Sequence, residues 1–143
     1  MQVSKTPLRN IDKNQALNSM SIELYGIPNC TTVKKARAWL EQHGIETTFH
    51  DYKKAPITIE KLAAWEAVLG WETLLKKTGT TWRTLPEELK TDLSRDKVLR
   101  LLHDQPNLIR RPIAEFSDGR ILAGFAESQY LAAFQSKDKP SHV

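Results

Sequence analysis

The chain contains 143 residues and carries 21 Lys and Arg against 17 Asp and Glu, a net charge of +4. Apolar residues make up 40% and charged residues 27%, which indicates one globular domain and argues against disorder. The single cysteine excludes an intrachain disulfide framework. No run reaches the roughly 18 apolar residues of a membrane span, and the polar start is unlike a secretory signal. We therefore expect a cytoplasmic protein without a membrane partner.

The basic residues are scattered among acidic ones and form no dense run, so we expect no direct binding of DNA. Residues 1–19 are polar and aperiodic, which predicts a flexible N-terminal extension. A single domain is expected over residues 20–135, and a polar C-terminal tail over residues 136–143.

The first elements predict a βαβ unit. The alternating run Ser21–Tyr25 predicts a strand, which the turn residues Gly26–Asn29 end. A helical pattern begins after Cys30 and stops near Gly44, because glycine suits the residue that follows a helix. Ile45–Tyr52 is rich in β-branched and aromatic residues and predicts a second strand, which a right-handed crossover makes parallel to the first.

The middle of the chain predicts a helical insertion, in which Thr58 and Ser94 are suitable helix N-caps. In chain order we expect helices Thr58–Leu69 and Trp71–Lys77, the turn Thr78–Thr81, and helices Pro86–Asp92 and Arg95–Asp104.

A β-hairpin and a helix are expected at the end of the domain. Ile113–Phe116 and Ile121–Phe125 flank a turn with an Asp-Gly pair, and Glu127–Phe134 forms the last helix. This order predicts an α/β fold with a thioredoxin-like mixed sheet flanked by helices, and an insertion between the βαβ unit and the hairpin.

Cys30 is the candidate nucleophile. It directly precedes a helix, where free N–H groups and the helix dipole favour an anion such as a thiolate. The hydroxyl groups of Thr31 and Thr32 are expected to bind the sulfur or an oxyanion. The alternative is a small buried cysteine that only packs.

Arg111 is the candidate oxyanion clamp, since a guanidinium gives two parallel hydrogen bonds and keeps its charge. It precedes Pro112, and we expect a cis bond between them. Arg83 is expected to reach the site from the insertion, whereas Arg110 is expected to be solvated and Trp82 to anchor the insertion. The histidines are scattered, so no metal site is expected.

Several motifs occur together in one order. They are Tyr25–Ala36, Phe49–Lys53, Gly79–Arg83, Leu108–Pro112 and Leu122–Phe125. This combination resembles the arsenate reductase (ArsC) family, and within it the YffB and Spx branch, over about residues 21–135. The resemblance implies a thioredoxin-like fold, with Cys30 matching the family nucleophile and Arg111 the oxyanion arginine.

The chain also differs from the pattern of this family in two respects. Arsenate reductases carry a further arginine where this chain has Ala123–Phe125, so the arsenate-binding set is incomplete. Spx regulators often use a Cys-x-x-Cys switch, which cannot form here because residue 33 is Val33. With one cysteine, an external thiol must complete any cycle, and glutathione is the expected co-substrate.

We therefore expect a glutathione-dependent thiol reductase with no tightly bound cofactor, a monomer that works with glutathione. Glutaredoxin is a further candidate partner. Two alternatives stay open: an arsenate reductase coupled to glutathione and glutaredoxin, and a non-enzymatic Spx-like regulator that binds RNA polymerase. A third is a fold relic with an inert buried cysteine.

Overall fold

A computed structural model of the protein describes residues 21–142, with side chains over residues 21–135. The expected extension over residues 1–19 lies outside the described residues. None of the described helices has both the length and the apolar character that a membrane span requires. The elements are β1 (Ile22–Gly26), α1 (Thr31–Gln42), β2 (Thr47–Asp51), α2 (Ile59–Leu69), α3 (Trp71–Leu74), α4 (Thr80–Arg83), α5 (Arg95–Asp104), β3 (Ile113–Phe116), β4 (Ile121–Ala123) and α6 (Glu127–His142), with 3₁₀ turns at Glu87–Leu89 and Pro106–Leu108.

The described strands form one mixed sheet in the order β2-β1-β3-β4. β1 runs parallel to β2, so that Leu24 pairs with Phe49, and antiparallel to β3, where Leu24 pairs with Ala114. β3 and β4 form the expected antiparallel hairpin. The predicted α/β class and the thioredoxin-like mixed sheet are therefore confirmed.

Both faces of the sheet are covered by helices. One core, here called the α1 core, joins Ile22 and Leu24 to Trp39 of α1 and Tyr130 of α6. The other, here called the insertion core, joins the opposite face of the sheet to α5 and to α2, which contributes the buried Trp65. Because neighbouring strand residues point to opposite faces, the short strands contribute side chains to both cores.

The longer helices begin where the sequence predicts. The Thr58 hydroxyl accepts a hydrogen bond from the Lys61 N–H at 3.1 Å, and the Ser94 hydroxyl accepts one from Lys97 at 3.3 Å. After α1, Gly44 has φ of +70°, a conformation that favours glycine. Caps and glycine stops are local signals, which is why sequence alone locates these ends.

The short helices of the insertion differ from the prediction. The helix expected over Trp71–Lys77 ends at Leu74, because Leu75 forms an antiparallel bridge with Ile109 instead. The expected turn Thr78–Thr81 is partly helical, since α4 starts at Thr80. Only a 3₁₀ turn forms within the segment expected to be helical after Pro86.

Two other ends also shift. β4 stops at Ala123 rather than Phe125, and α6 continues past the expected end at Phe134. Gly124 has φ of +78°, which is not a strand conformation, and this glycine ends the hairpin. Trp82 packs against the insertion core, as predicted.

The topology brings three chain segments to one edge of the sheet. The carboxyl ends of the parallel strands β1 and β2 lead into Cys30 and Tyr52. The amino end of β3 lies at the same edge, because β3 is antiparallel to β1, and Arg111 comes shortly before it. This edge is where parallel strands of α/β proteins usually place their ligands.

Candidate active site

Cys30 is the N-cap residue of α1. Its φ and ψ of −86° and 129° are extended, and its carbonyl accepts a hydrogen bond from the Lys34 N–H at 2.9 Å. Its own N–H donates to the Ile27 carbonyl at 3.3 Å, which fixes the turn after β1. The side chain is half-buried. The thiol therefore stands at the end of the helix where backbone N–H groups are free to donate.

The surroundings of the sulfur favour the thiolate. Partial burial by itself would raise the pKa of Cys30, but hydrogen bonds from the Val33 N–H, the Arg111 guanidinium and the Thr32 N–H outweigh it. The positive charge of Arg111 adds to this effect. The net result is that the pKa of Cys30 is lowered, which increases the fraction of the nucleophilic form at neutral pH.

Arg111 interacts with both the Cys30 sulfur and a buried tyrosine. Its Nη1 donates to the Asn107 carbonyl at 3.0 Å, and its peptide bond to Pro112 is cis, as the sequence predicts. Burial alone would lower the pKa of Arg111, but the Tyr52 hydroxyl and the Cys30 sulfur raise it. A half-buried cation that stays charged is thus held beside the thiol.

Tyr52 and Lys76 belong to this site although sequence reasoning missed them. Tyr52 interacts with Arg111 and Cys30 electrostatically, and burial raises the pKa of its hydroxyl. Lys76 donates from Nζ to the Thr78 carbonyl at 2.8 Å. Burial, together with the nearby charge of Arg111, lowers the pKa of Lys76. The position of Tyr52 at the carboxyl end of a parallel strand is the signal that could have identified it.

A cleft of about 800 Å³ opens at this edge of the sheet. Its lining includes four basic side chains and one acidic side chain among the described residues: Lys34, Lys53, Lys76, Arg111 and Asp51. Loop residues such as Asn29 and Thr78 form the rest of its walls, and Cys30 itself does not line it. The excess of positive charge suits an anionic ligand next to the thiol.

The predicted site residues are only partly brought together. Thr32 contributes its backbone N–H to the sulfur, whereas Thr31 is exposed on the first turn of α1. Pro112 is buried directly after Arg111. Arg83 is exposed and does not line the cleft; its Nη2 donates to the Thr80 hydroxyl at 3.3 Å. Within residues 21–135, no group of three or more His, Cys, Asp or Glu side chains is arranged to hold a metal.

The fold and this site define a class: a thioredoxin-like α/β protein with a cysteine at the N-terminus of its first helix and a cis-proline opposite. The chain belongs to the ArsC family, whose family model matches residues 25–133.

The chain is also similar to three further proteins. It is 45% identical over 113 residues to an uncharacterized protein of Haemophilus influenzae, covering 79% of this chain and 98% of that protein. It is 32% identical over 110 residues to the global transcriptional regulator Spx of Enterococcus faecalis, covering 76% and 82%. The solved structure of the YFFB protein superimposes with a TM-score of 0.76 at 46% identity, covering 80% of this chain and 99% of that one. The predicted resemblance to YffB and Spx proteins is thereby confirmed.

Proposed function

We propose that this chain is a thiol-dependent oxidoreductase in which Cys30 is the nucleophile and glutathione is the resolving thiol. The observation that carries the proposal is the setting of the Cys30 sulfur, which receives two backbone N–H groups and the Arg111 guanidinium. Such surroundings stabilise a thiolate, and the thiolate is the form that attacks a disulfide.

The chemistry begins with a mixed disulfide between a substrate thiol and glutathione. The Cys30 thiolate attacks the glutathione sulfur, so that a bond forms between these two sulfurs and the substrate leaves as a thiolate. A second glutathione, as its thiolate, then attacks the Cys30 disulfide, which releases oxidised glutathione and regenerates Cys30. The net reaction consumes one free glutathione and the mixed disulfide and yields the substrate thiol and oxidised glutathione, so no second cysteine is required in this chain.

The charges of the cleft support an anionic co-substrate. Glutathione carries two carboxylates, and the cleft places the cations Lys76 and Arg111 close to the thiol. A guanidinium suits a carboxylate because it can donate two parallel hydrogen bonds. Lys76 and Arg111 line the cleft, whereas Arg83 does not. We therefore assign anion binding to Arg111 and Lys76. The role expected for Arg83 stays a prediction.

The test is glutathionylation of the native protein at neutral pH, followed by mass spectrometry. We expect one adduct on Cys30 after exposure to oxidised glutathione, and none in Cys30→Ser. The same chain unfolded in urea serves as the matched control, because it keeps the thiol but loses the helix and the contact between Arg111 and Cys30. The native protein should react roughly tenfold faster than the unfolded chain, as expected for a lowered thiol pKa.

Turnover is measured with a glutathionylated peptide and excess glutathione, following oxidised glutathione as it forms. The wild type should accelerate release of the peptide thiol and Cys30→Ser should not. A native protein that reacts no faster than the unfolded chain, and that does not turn over the peptide, contradicts the proposal.

A second candidate function is regulation of transcription, which rests on the 32% identity with the Spx regulator of Enterococcus faecalis. In that case RNA polymerase should be retained by the immobilised protein, and retention should survive Cys30→Ser. Arsenate reduction is less favoured, because the segment Ala123–Phe125 supplies no second arginine. An arsenate assay with glutathione and glutaredoxin, wild type against Cys30→Ser, tests it directly.

A further inference from the structure

Tyr52 is fixed by the fold on both its backbone and its ring. Its N–H donates to the Gly26 carbonyl at 3.2 Å, which extends the pairing of β1 and β2 by one residue. Its side chain is 1% exposed and belongs to the insertion core. The phenol hydroxyl therefore has a set position, and Tyr52 does not line the cleft where a substrate would lie.

Packing alone does not explain the hydroxyl of Tyr52. It is buried and has no hydrogen-bond partner of good geometry among the described residues, and the same holds for Nε of Arg111. Native proteins seldom bury a polar atom without a partner, and such atoms deserve an explanation. The same hydroxyl interacts electrostatically with the guanidinium of Arg111.

Apart from the Cys30 sulfur, the acceptors around Arg111 are neutral. The Asn107 carbonyl accepts from Nη1 at 3.0 Å, and the Tyr52 oxygen lies beside the same guanidinium. Within the described residues no carboxylate forms an ion pair with Arg111. A carboxylate would cancel the charge that the thiolate and an anionic ligand need, whereas neutral acceptors orient the guanidinium and leave its charge available.

We propose that Tyr52 is a positioning residue that holds the Arg111 guanidinium against the Cys30 sulfur. If the guanidinium turned away from Cys30, the buried phenol oxygen would lose its charged neighbour, so Tyr52 opposes that movement. The role of Tyr52 rests on the proposed function in one respect only, which is that Cys30 is the nucleophile. Its direct readout is the reactivity of the thiol, which requires neither glutathione nor turnover.

The test compares Tyr52→Phe with Tyr130→Phe. Tyr130 is a matched control, because its ring is also fully buried and its hydroxyl also lacks a partner, but it lies in the α1 core away from Cys30. The apparent pKa of Cys30 is measured from the pH dependence of alkylation by iodoacetamide, a neutral reagent. Tyr52→Phe should raise this pKa and slow alkylation at neutral pH roughly tenfold, with recovery at high pH. Tyr130→Phe should leave both unchanged.

A double-mutant cycle with Arg111→Gln separates action through Arg111 from a merely structural role. In the Arg111→Gln background, Tyr52→Phe should have no further effect on the alkylation profile. Thermal unfolding of each variant shows that it is folded, which is expected because phenylalanine keeps the ring. The proposal is overturned if Tyr52→Phe has the alkylation profile of the wild type, or if its effect persists without Arg111. If instead the profile shifts as expected but the wild type forms no glutathione adduct, the proposed function fails while the role of Tyr52 stands.

Discussion

Arg110 and Arg111 are neighbours in the sequence but have different surroundings. Nε of Arg110 donates to the Thr73 carbonyl at 2.7 Å, at an exposed position, whereas Arg111 donates to the Cys30 sulfur. We expect Arg111→Gln to raise the pKa of Cys30 and to slow its alkylation at neutral pH by roughly tenfold, since a hydrogen bond and a positive charge are both lost. The pH dependence of iodoacetamide alkylation measures this.

Arg110→Gln is the matched control for that experiment, because it removes the same charge one residue away. Its alkylation profile should stay close to that of the wild type. Equal effects of the two substitutions would mean that overall charge, rather than the contact with Arg111, sets the reactivity of Cys30.

The lowered pKa of Cys30 links the stability of the fold to pH. In the unfolded chain the pKa returns to about 8.5, so between the folded and the unfolded pKa the unfolded chain binds more protons. The free energy of unfolding should therefore rise with pH through this window. The contribution is complete above about 8.5 and is lost as pH falls through the folded pKa.

Urea unfolding of the wild type and of Cys30→Ser from acid to about pH 9 checks this link. A serine at this N-cap position adds a stabilisation that does not depend on pH, so only the slope of the difference between the proteins is informative. A difference that stays flat, or that falls as pH rises, would show that the folded protein does not favour the thiolate.

At the scale of elements, the contact between β1 and α1 is unusually close. A Cβ added to Gly26, the last residue of β1, would lie 2.7 Å from Cγ2 of Val33, and Val33 is fully buried in α1. Val33 is β-branched and has few rotamers to move into. We expect Gly26→Ala to destabilise the fold by about 1 to 3 kcal/mol and to disturb the N-terminus of α1. Urea unfolding measures the change.

Shortening the Val33 side chain should relieve this clash and recover part of the lost stability. The double substitution of Gly26→Ala with Val33→Ala should lose less stability than the sum of the single losses, because the smaller side chain leaves room for the new methyl group. Strictly additive losses would mean that the close approach of these residues does not limit the packing of β1 on α1.

Elements with strong local signals could be predicted from the sequence, and those set by tertiary contacts could not. The N-caps Thr58 and Ser94 and the position of Cys30 before a helix follow from residue types alone. Lys76, by contrast, was expected inside a helix. Its N–H instead donates to the Leu108 carbonyl at 2.8 Å, a partner more than thirty residues away that no helical pattern reveals.

At the scale of the whole molecule, the same distinction applies to the site. Cys30 and Arg111 were identified because each has a motif around it, and the topology then brings them together. Tyr52 lies within the motif Phe49–Lys53, but nothing in that motif marks it as a site residue, because it serves at once as a core residue and as a neighbour of Arg111. Residues with two roles of this kind become visible only when the sheet order and the burial are known.

The charge of the cleft, rather than that of the whole chain, should govern the approach of anionic reagents. Lys53 and Lys54 are both exposed and adjacent, but only Lys53 lines the cleft. Lys53→Glu and Lys54→Glu make the same change in net charge. We expect Lys53→Glu to slow the reaction of Cys30 with a dianionic aromatic disulfide several-fold and Lys54→Glu to slow it much less, since nearby charges steer association most strongly.

Two further measurements vary the ionic strength and the charge of the disulfide reagent. Raising the ionic strength well above about 0.1 M shortens the screening length below 10 Å, so the advantage of the wild type over Lys53→Glu should shrink with the dianionic reagent. A neutral dipyridyl disulfide should react at similar rates with all three proteins at every salt concentration. If the neutral reagent shows the same differences, the substitution acts on the thiol itself. The cationic lining of the cleft would then have no part in bringing an anion to Cys30.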